Sequence, residues 1–263
     1  MQQRYLWLAI VLISVLIYFA CSEDKSVSPK ALENVGEKVF GAISIEQQKH
    51  LYVKNDSGGV YIYGYPDQDV IETLLYRTVS AESKKLAEQR LADIELKHDK
   101  ADDLINIFTT VNTQPGRLRY TSWYSLEIPN KMVLDIHDVW EDINVFDLDT
   151  TLMVRDAGHN VSIVRHSGSA QVNTLTGDIY MEIAVPDSGY CVGHTGAGDI
   201  VVHLPQETSA TIKLVTQDGL ISVNNLEVKN EVATPSSFEG LLGLGEGEII
   251  LETGRGSIIL QGF

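Results

Sequence analysis

From about residue 142 onward the chain is a succession of short apolar stretches with polar residues at alternate positions. They start near Ile143, Leu152, Val161, Ala170, Ile179, Tyr190, Ile200, Thr211 and Ile221, roughly one every ten residues. Alternation of period two is the pattern of a strand with one buried face. A longer period lies on top of it. Thr174-x-x-Gly177-x-Ile179, Thr195-x-x-Gly198-x-Ile200 and Thr216-x-x-Gly219-x-Ile221 follow at 21-residue intervals, and Thr253-x-x-Gly256-x-Ile258 is a fourth copy. Weaker echoes stand at Ser237-x-x-Gly240 and Leu244-x-x-Gly247. Two short strands per 21-residue coil account for both periods. One coil cannot bury its apolar face alone, so coils must stack. A glycine before the strand permits a tight corner. Five or six coils at the strand spacing of about 4.8 Å would make a stack roughly 25–30 Å tall.

The preceding third is β-rich but not periodic. Leu51-Tyr-Val53 and Val60-Tyr-Ile-Tyr63 flank the turn Asp56-Ser57-Gly58-Gly59, and further strand-like runs cover 70–79, 94–97, 104–108, 118–128 and 132–136. One amphipathic segment predicts a helix near Ala81–Asp93. Ser80 would be its N-cap, with Leu86, Ala87, Leu91 and Ile94 on the apolar side. The expected fold class is therefore all-β, a parallel β-helix-like solenoid of about 21 residues per coil, with one α-helix in an N-terminal insertion. Residues 39–136 form the β-rich part and 137–263 the repeats, the two making one continuous domain. The stretch 232–244 interrupts the 21-residue phase. The C-terminal Gly262-Phe263 would cap the stack, where edge-to-edge pairing bears on oligomerisation.

The N-terminus reads as an export signal. Arg4 precedes an uncharged apolar run from Tyr5 to Ala20, and Cys21 follows a small residue. Ala20-Cys21 resembles a lipobox, with Tyr18 where leucine is usual, so Cys21 is the expected lipidation site and 1–20 the signal peptide. Retention as an uncleaved N-terminal anchor and plain secretion are the other two outcomes, and all three place the remainder outside the cytoplasm. Residues 21–38 read as a flexible spacer. Ser22 after the cysteine resembles the sorting pattern of outer-membrane lipoproteins, with Glu23-Asp24 resembling a surface-export signal; the resulting location is the cell envelope, periplasmic or surface-exposed.

Charge and chemistry narrow the functional classes. The 36 acidic against 20 basic residues give a net charge of −16, which opposes binding to a phosphate backbone. No nucleophile elbow, zinc motif or EF-hand pattern occurs, so no catalytic residue, metal ligand or cofactor is assigned. Cys191, in an apolar triplet, is expected in the core. Three arrangements remain conceivable: a metal pair at His194 and His203 on opposite strands of one coil; oxygen ligands for calcium among Asp135, Asp138, Glu141, Asp142, Asp147 and Asp149; and a glycosidase pair of Asp178 and Asp199, which occupy one repeat position and would stack about 5 Å apart. Corner-turn chemistry alone also favours aspartate there.

Gly58-Gly59-Val60-Tyr61-Ile62, the helix-containing insertion, Ile128-Pro129, the Gly-x-Ile coils and the closing Thr253–Leu260 together resemble the bacterial putative-adhesin or toast-rack β-solenoid domain, a family largely of unknown function, over residues 40–263. The resemblance implies a non-enzymatic, extracytoplasmic adhesin-like or envelope scaffold module, and no catalytic residues. Its partners would be the membrane, through the lipid anchor, and an envelope protein or a glycan. The alternatives are a carbohydrate-active β-helix enzyme and an accessory sensor of an envelope-stress system.

Overall fold

Alternating burial runs through nearly every strand of the computed structural model, which describes residues 31–113 and 116–263. Residues 33–263 form one compact unit, built from a ten-stranded and an eleven-stranded sheet. Each coil gives one strand to each sheet. The middle of the stack follows chain order. Its coils are β8 (Val133–His137) with β9 (Ile143–Phe146), β10 (Leu152–Ala157) with β11 (Val161–Ser167), β12 (Ala170–Thr174) with β13 (Ile179–Ala184), and β14 (Tyr190–Thr195) with β15 (Ile200–Leu204). All pair in parallel. Ile143, Val161, Ile179 and Ile200 are in register, one per coil, and all are fully buried. These positions show that the coil length is not constant: successive coils advance 18, 18 and then 21 residues. The expected 21-residue advance begins where a longer corner separates β13 from β14 and recurs from Ile200 to Ile221, across the 205–209 corner.

Both ends depart from chain order. The last coil, β20 (Gly247–Thr253) with β21 (Ile258–Gly262), does not lie beyond β16 (Ala210–Thr216) and β17 (Ile221–Asn224). Instead β20 pairs in parallel with both β14 and β16, and β21 with both β15 and β17. The fourth repeat copy therefore sits between the second and third. The reason lies in the interrupting stretch. There β18 (Val228–Ala233) and β19 (Ser237–Leu242) form an antiparallel hairpin on β16, which reverses the chain and returns it to the slot beside β14. The C-terminal residues are thus inside the stack, and the edges at that end are β17 in one sheet and β18 in the other. The opposite end repeats the device. The first coil, β2 (His50–Lys54) with β3 (Val60–Tyr65), lies between β6 (Leu104–Val111) with β7 (Arg119–Pro129) on one side and β8 with β9 on the other. The repeat region supplies six coils, as expected, and the two N-terminal ones bring the stack among the described residues to eight, roughly 35 Å between outermost strands at the usual spacing.

The N-terminal end closes with antiparallel strands. β4 (Val70–Ala81) pairs with β7, β1 (Glu33–Ser44) with β4, and β5 (Ile94–Lys100) with β6. β1 begins at Glu33, inside the stretch expected to be spacer. Helix α1 (Lys84–Arg90) starts three residues later than predicted, because Val79 and Ala81 remain in the β4 ladder. Its N-cap is Ser83, whose hydroxyl accepts the Leu86 N–H at 3.3 Å. Ala87, Leu91 and Ile94 are buried against Val79 and Ala81 and plug this end of the core. No helix among the described residues is long and apolar enough to cross a membrane.

Candidate functional site

The repeat residues form ladders along one corner of the stack. Thr195 Oγ1 donates to the Gly177 carbonyl (3.0 Å), Thr253 to Gly198 (2.9 Å) and Thr216 to Gly256 (2.8 Å). Thr174 Oγ1 has the Ala157, His159 and Thr176 carbonyls within reach of its single O–H, at 2.9, 3.1 and 2.8 Å. All four threonines are buried, so each hydroxyl satisfies a carbonyl of the coil before it. The glycines are required by close approach. A Cβ on Gly198 would lie 2.1 Å from the Gly177 oxygen, on Gly256 2.0 Å from Gly198 and on Gly219 1.9 Å from Gly256. Gly177, Gly198 and Gly256 also have positive φ. The isoleucines of the motif are in register at the core, where Ile179, Ile200 and Ile258 are fully buried. Ile221, on the outermost coil, is half-buried.

The same corner uses the aspartates. Asp178 Oδ1 accepts the Asp199 N–H (2.8 Å), Asp199 Oδ1 accepts the Ser257 N–H (2.7 Å), and Asn160 Oδ1 accepts the Asp178 N–H (2.8 Å). This is a side-chain-to-backbone staircase, the turn chemistry favoured by Asp and Asn, and it engages one oxygen of each carboxylate of the conceivable glycosidase pair.

The other candidate residues are dispersed. His194 projects from the outer face of one sheet, 3.4 Å from Glu252, and His203 from the outer face of the other, 5.4 Å from the Tyr180 ring; the fold does not bring them together. Asp138 pairs with Lys54 at 2.9 Å and Asp147 grips Arg165 through two hydrogen bonds. Asp142 accepts the Asn160 N–H at 3.3 Å. Asp135 lies 2.6 Å from His137, a close approach with poor hydrogen-bond alignment, and 3.2 Å from Arg155. Among the described residues no three His, Cys, Asp or Glu side chains converge as metal ligands. Cys191 is fully buried and burial pushes its thiol up to about 12. Cys21 and the signal lie outside the described residues.

The Gly-Gly turn before β3 has a buried polar anchor. Asn55 donates to the Gly59 and Ser122 carbonyls (3.0 and 2.9 Å) and accepts from the Ser122 hydroxyl (2.8 Å). The fully buried Tyr124 donates its hydroxyl to the Lys54 carbonyl. Trp123 covers Gly59, where a Cβ would meet the indole at 2.2 Å.

This anchored region carries a surface that the sequence does not advertise. Of the sixteen aromatic residues after position 30, seven stand on one outer sheet face across the neighbouring strands β1, β4, β7, β3 and β9. Tyr61, Tyr63 and Tyr65 alternate outward along β3. Tyr61 contacts Trp123 at 5.7 Å and Tyr63 stacks on Phe146 at 5.0 Å. Tyr76 is directly opposite Trp123. Phe40, Tyr65 and Tyr76 are 76%, 43% and 42% exposed. Beside them is a shallow depression of about 210 Å³ lined by Phe40, Leu74 and Ser125, with Glu72 and Glu127 at one side. Glu72 and Glu127 face each other directly across the antiparallel pair. The only trace of this surface in the sequence is Tyr61-x-Tyr63-x-Tyr65; the rest is assembled from distant segments.

No family model matches the chain and no curated protein matches it. Among solved structures it is similar to a putative cell adhesion protein from Clostridium sporogenes, with 11% identity over 87% of this chain and 100% of that one and a TM-score of 0.43. It is also similar to a putative adhesin from Bacteroides fragilis (10% identity, 86% and 97% covered, TM-score 0.33) and a putative lipid binding protein from Parabacteroides distasonis (11%, 86% and 96%, 0.30). All three scores are low, and the adhesion and lipid-binding descriptions belong to those proteins.

Proposed function

We propose that the chain is a non-enzymatic extracytoplasmic interaction module: an adhesin-like or scaffold β-solenoid, held to the outer membrane by a lipid on Cys21. The observation that supports this is a division of labour. The conspicuous polar residues of the repeat hold one coil to the next, while exposed aromatic side chains gather on an open outer face. A catalytic site takes the converse form, with converging polar groups in a concave, mostly enclosed pocket. Anchoring is tested by intact-mass analysis of the detergent-extracted protein. Residues 1–20 should be absent and Cys21 should carry lipid; an unmodified Met1 in the membrane fraction contradicts the anchor.

A further inference from the structure

We infer that the aromatic face of the ten-stranded sheet binds a glycan chain that lacks acidic groups, an assignment that rests on reading the protein as an interaction module. The face is an open sheet with a depression of only about 210 Å³, whereas small-molecule sites are concave and enclose most of their ligand. A ligand here is held along a surface, as a polymer is. Phe40, Tyr61, Tyr65 and Tyr76 expose apolar ring surface on a rigid ladder, and such concentrations mark interaction surfaces. The negative face of an aromatic ring attracts the slightly positive C–H bonds that line one side of a pyranose, and the phenol hydroxyls can exchange hydrogen bonds with its rim.

Glu72 and Glu127 oppose each other across the strand pair, a position in which like charges work against the sheet and in which a neutral or cationic donor would be welcome. Two carboxylates offer acceptors only, which sugar hydroxyls, or the ammonium of an amino sugar, would satisfy. Together with a net charge of −16 they repel uronic, sulfated or sialylated chains.

The test is affinity electrophoresis of the detergent-solubilised full chain through gels containing soluble glucan, mannan, galactomannan or alginate, the first three uncharged so that the net charge of −16 cannot itself cause retardation. We expect retardation by one or more of the first three and none by alginate. Tyr61→Ala/Tyr65→Ala should weaken the retained interaction at least 10-fold. Glu127→Gln should weaken it several-fold while leaving thermal stability unchanged or raised, because a like-charge pair is relieved; a merely structural glutamate would lose stability instead. No retardation by any acid-free polysaccharide, or equal retardation of the tyrosine variant, overturns the inference. So does loss of self-association or vesicle binding, rather than glycan binding, in that variant. Release of reducing ends from a retained polysaccharide overturns the non-catalytic assignment. The anchored-module reading is decided separately, by the lipid on Cys21.

Discussion

The middle of the stack and its C-terminal end are built from the same coil, yet they are assembled differently. From β8 to β15 each coil lies on the one before it in the chain. Beyond β15 the order is broken, because the last coil enters between the second and third copies of the motif. The comparison teaches that the Thr-x-x-Gly-x-Ile motif specifies how a coil docks but not which coil it docks on. Ile200, Ile258 and Ile221 are neighbours in one ladder, and Thr195, Thr253 and Thr216 each find a glycine carbonyl on whichever coil lies next to them. Order is set by the connections. The 205–209 loop carries the chain past the level that β20 and β21 fill, and the β18–β19 hairpin brings it back.

The largest effect should come from removing the interposed coil. A stop after residue 244 deletes the partner of both β14 and β16. Hydrogen exchange should then show protection lost in β16 and β17 and kept from β8 to β13. Retained protection throughout would mean that the third copy can dock directly on the second. Next in size is Gly198→Ala, between two fixed coils and at positive φ, which should cost about 3 kcal/mol or more in urea unfolding. Gly219→Ala faces an equally close carbonyl, but on the outermost coil, which can shift; it should cost less than half as much. Equal costs would erase the distinction between middle and end.

Smaller still, Thr195→Val and Thr253→Val each remove one buried hydroxyl bond and should cost about 1 kcal/mol, alike because both lie inside the stack. Cys191 probes the middle by pH. Its folded-state value of about 12 exceeds the reference 9.0, so its contribution is complete below pH 9 and fades as pH rises toward 12. At pH 8 it should resist alkylation until the chain unfolds. Last, Asp178→Asn keeps the acceptor for the Asp199 N–H and should change stability by no more than about 0.5 kcal/mol.

Much of the coil was legible because its reasons are local. Alternation reveals the buried face, and the Thr, Gly and Ile positions are each dictated by one neighbouring backbone. The N-terminal coils were not recognised as coils, since β2 and β3 are separated from their stack neighbours β6 and β7 by β4, α1 and β5, and share no motif with the later copies. Ser80 and Ser83 are both acceptable caps for the helix, and only the pairing of β4 with β1 and β7 decides between them. The aromatic face was illegible for a related reason: Phe40, Tyr76, Trp123 and Phe146 become neighbours only through sheet register.

The central claim is the position of the last coil, and disulfide trapping tests it most directly. Val201, Ile259 and Ser222 stand on adjacent parallel strands in that order. Neighbours about 4.8 Å apart can be bridged, while Val201 and Ser222, two spacings apart, cannot. Oxidation of the cysteine pairs 201/259 and 259/222 should give an intramolecular disulfide, and the pair 201/222 should not. Efficient closure of 201/222 with failure of the other two would place the third copy directly on the second and contradict the interleaved order.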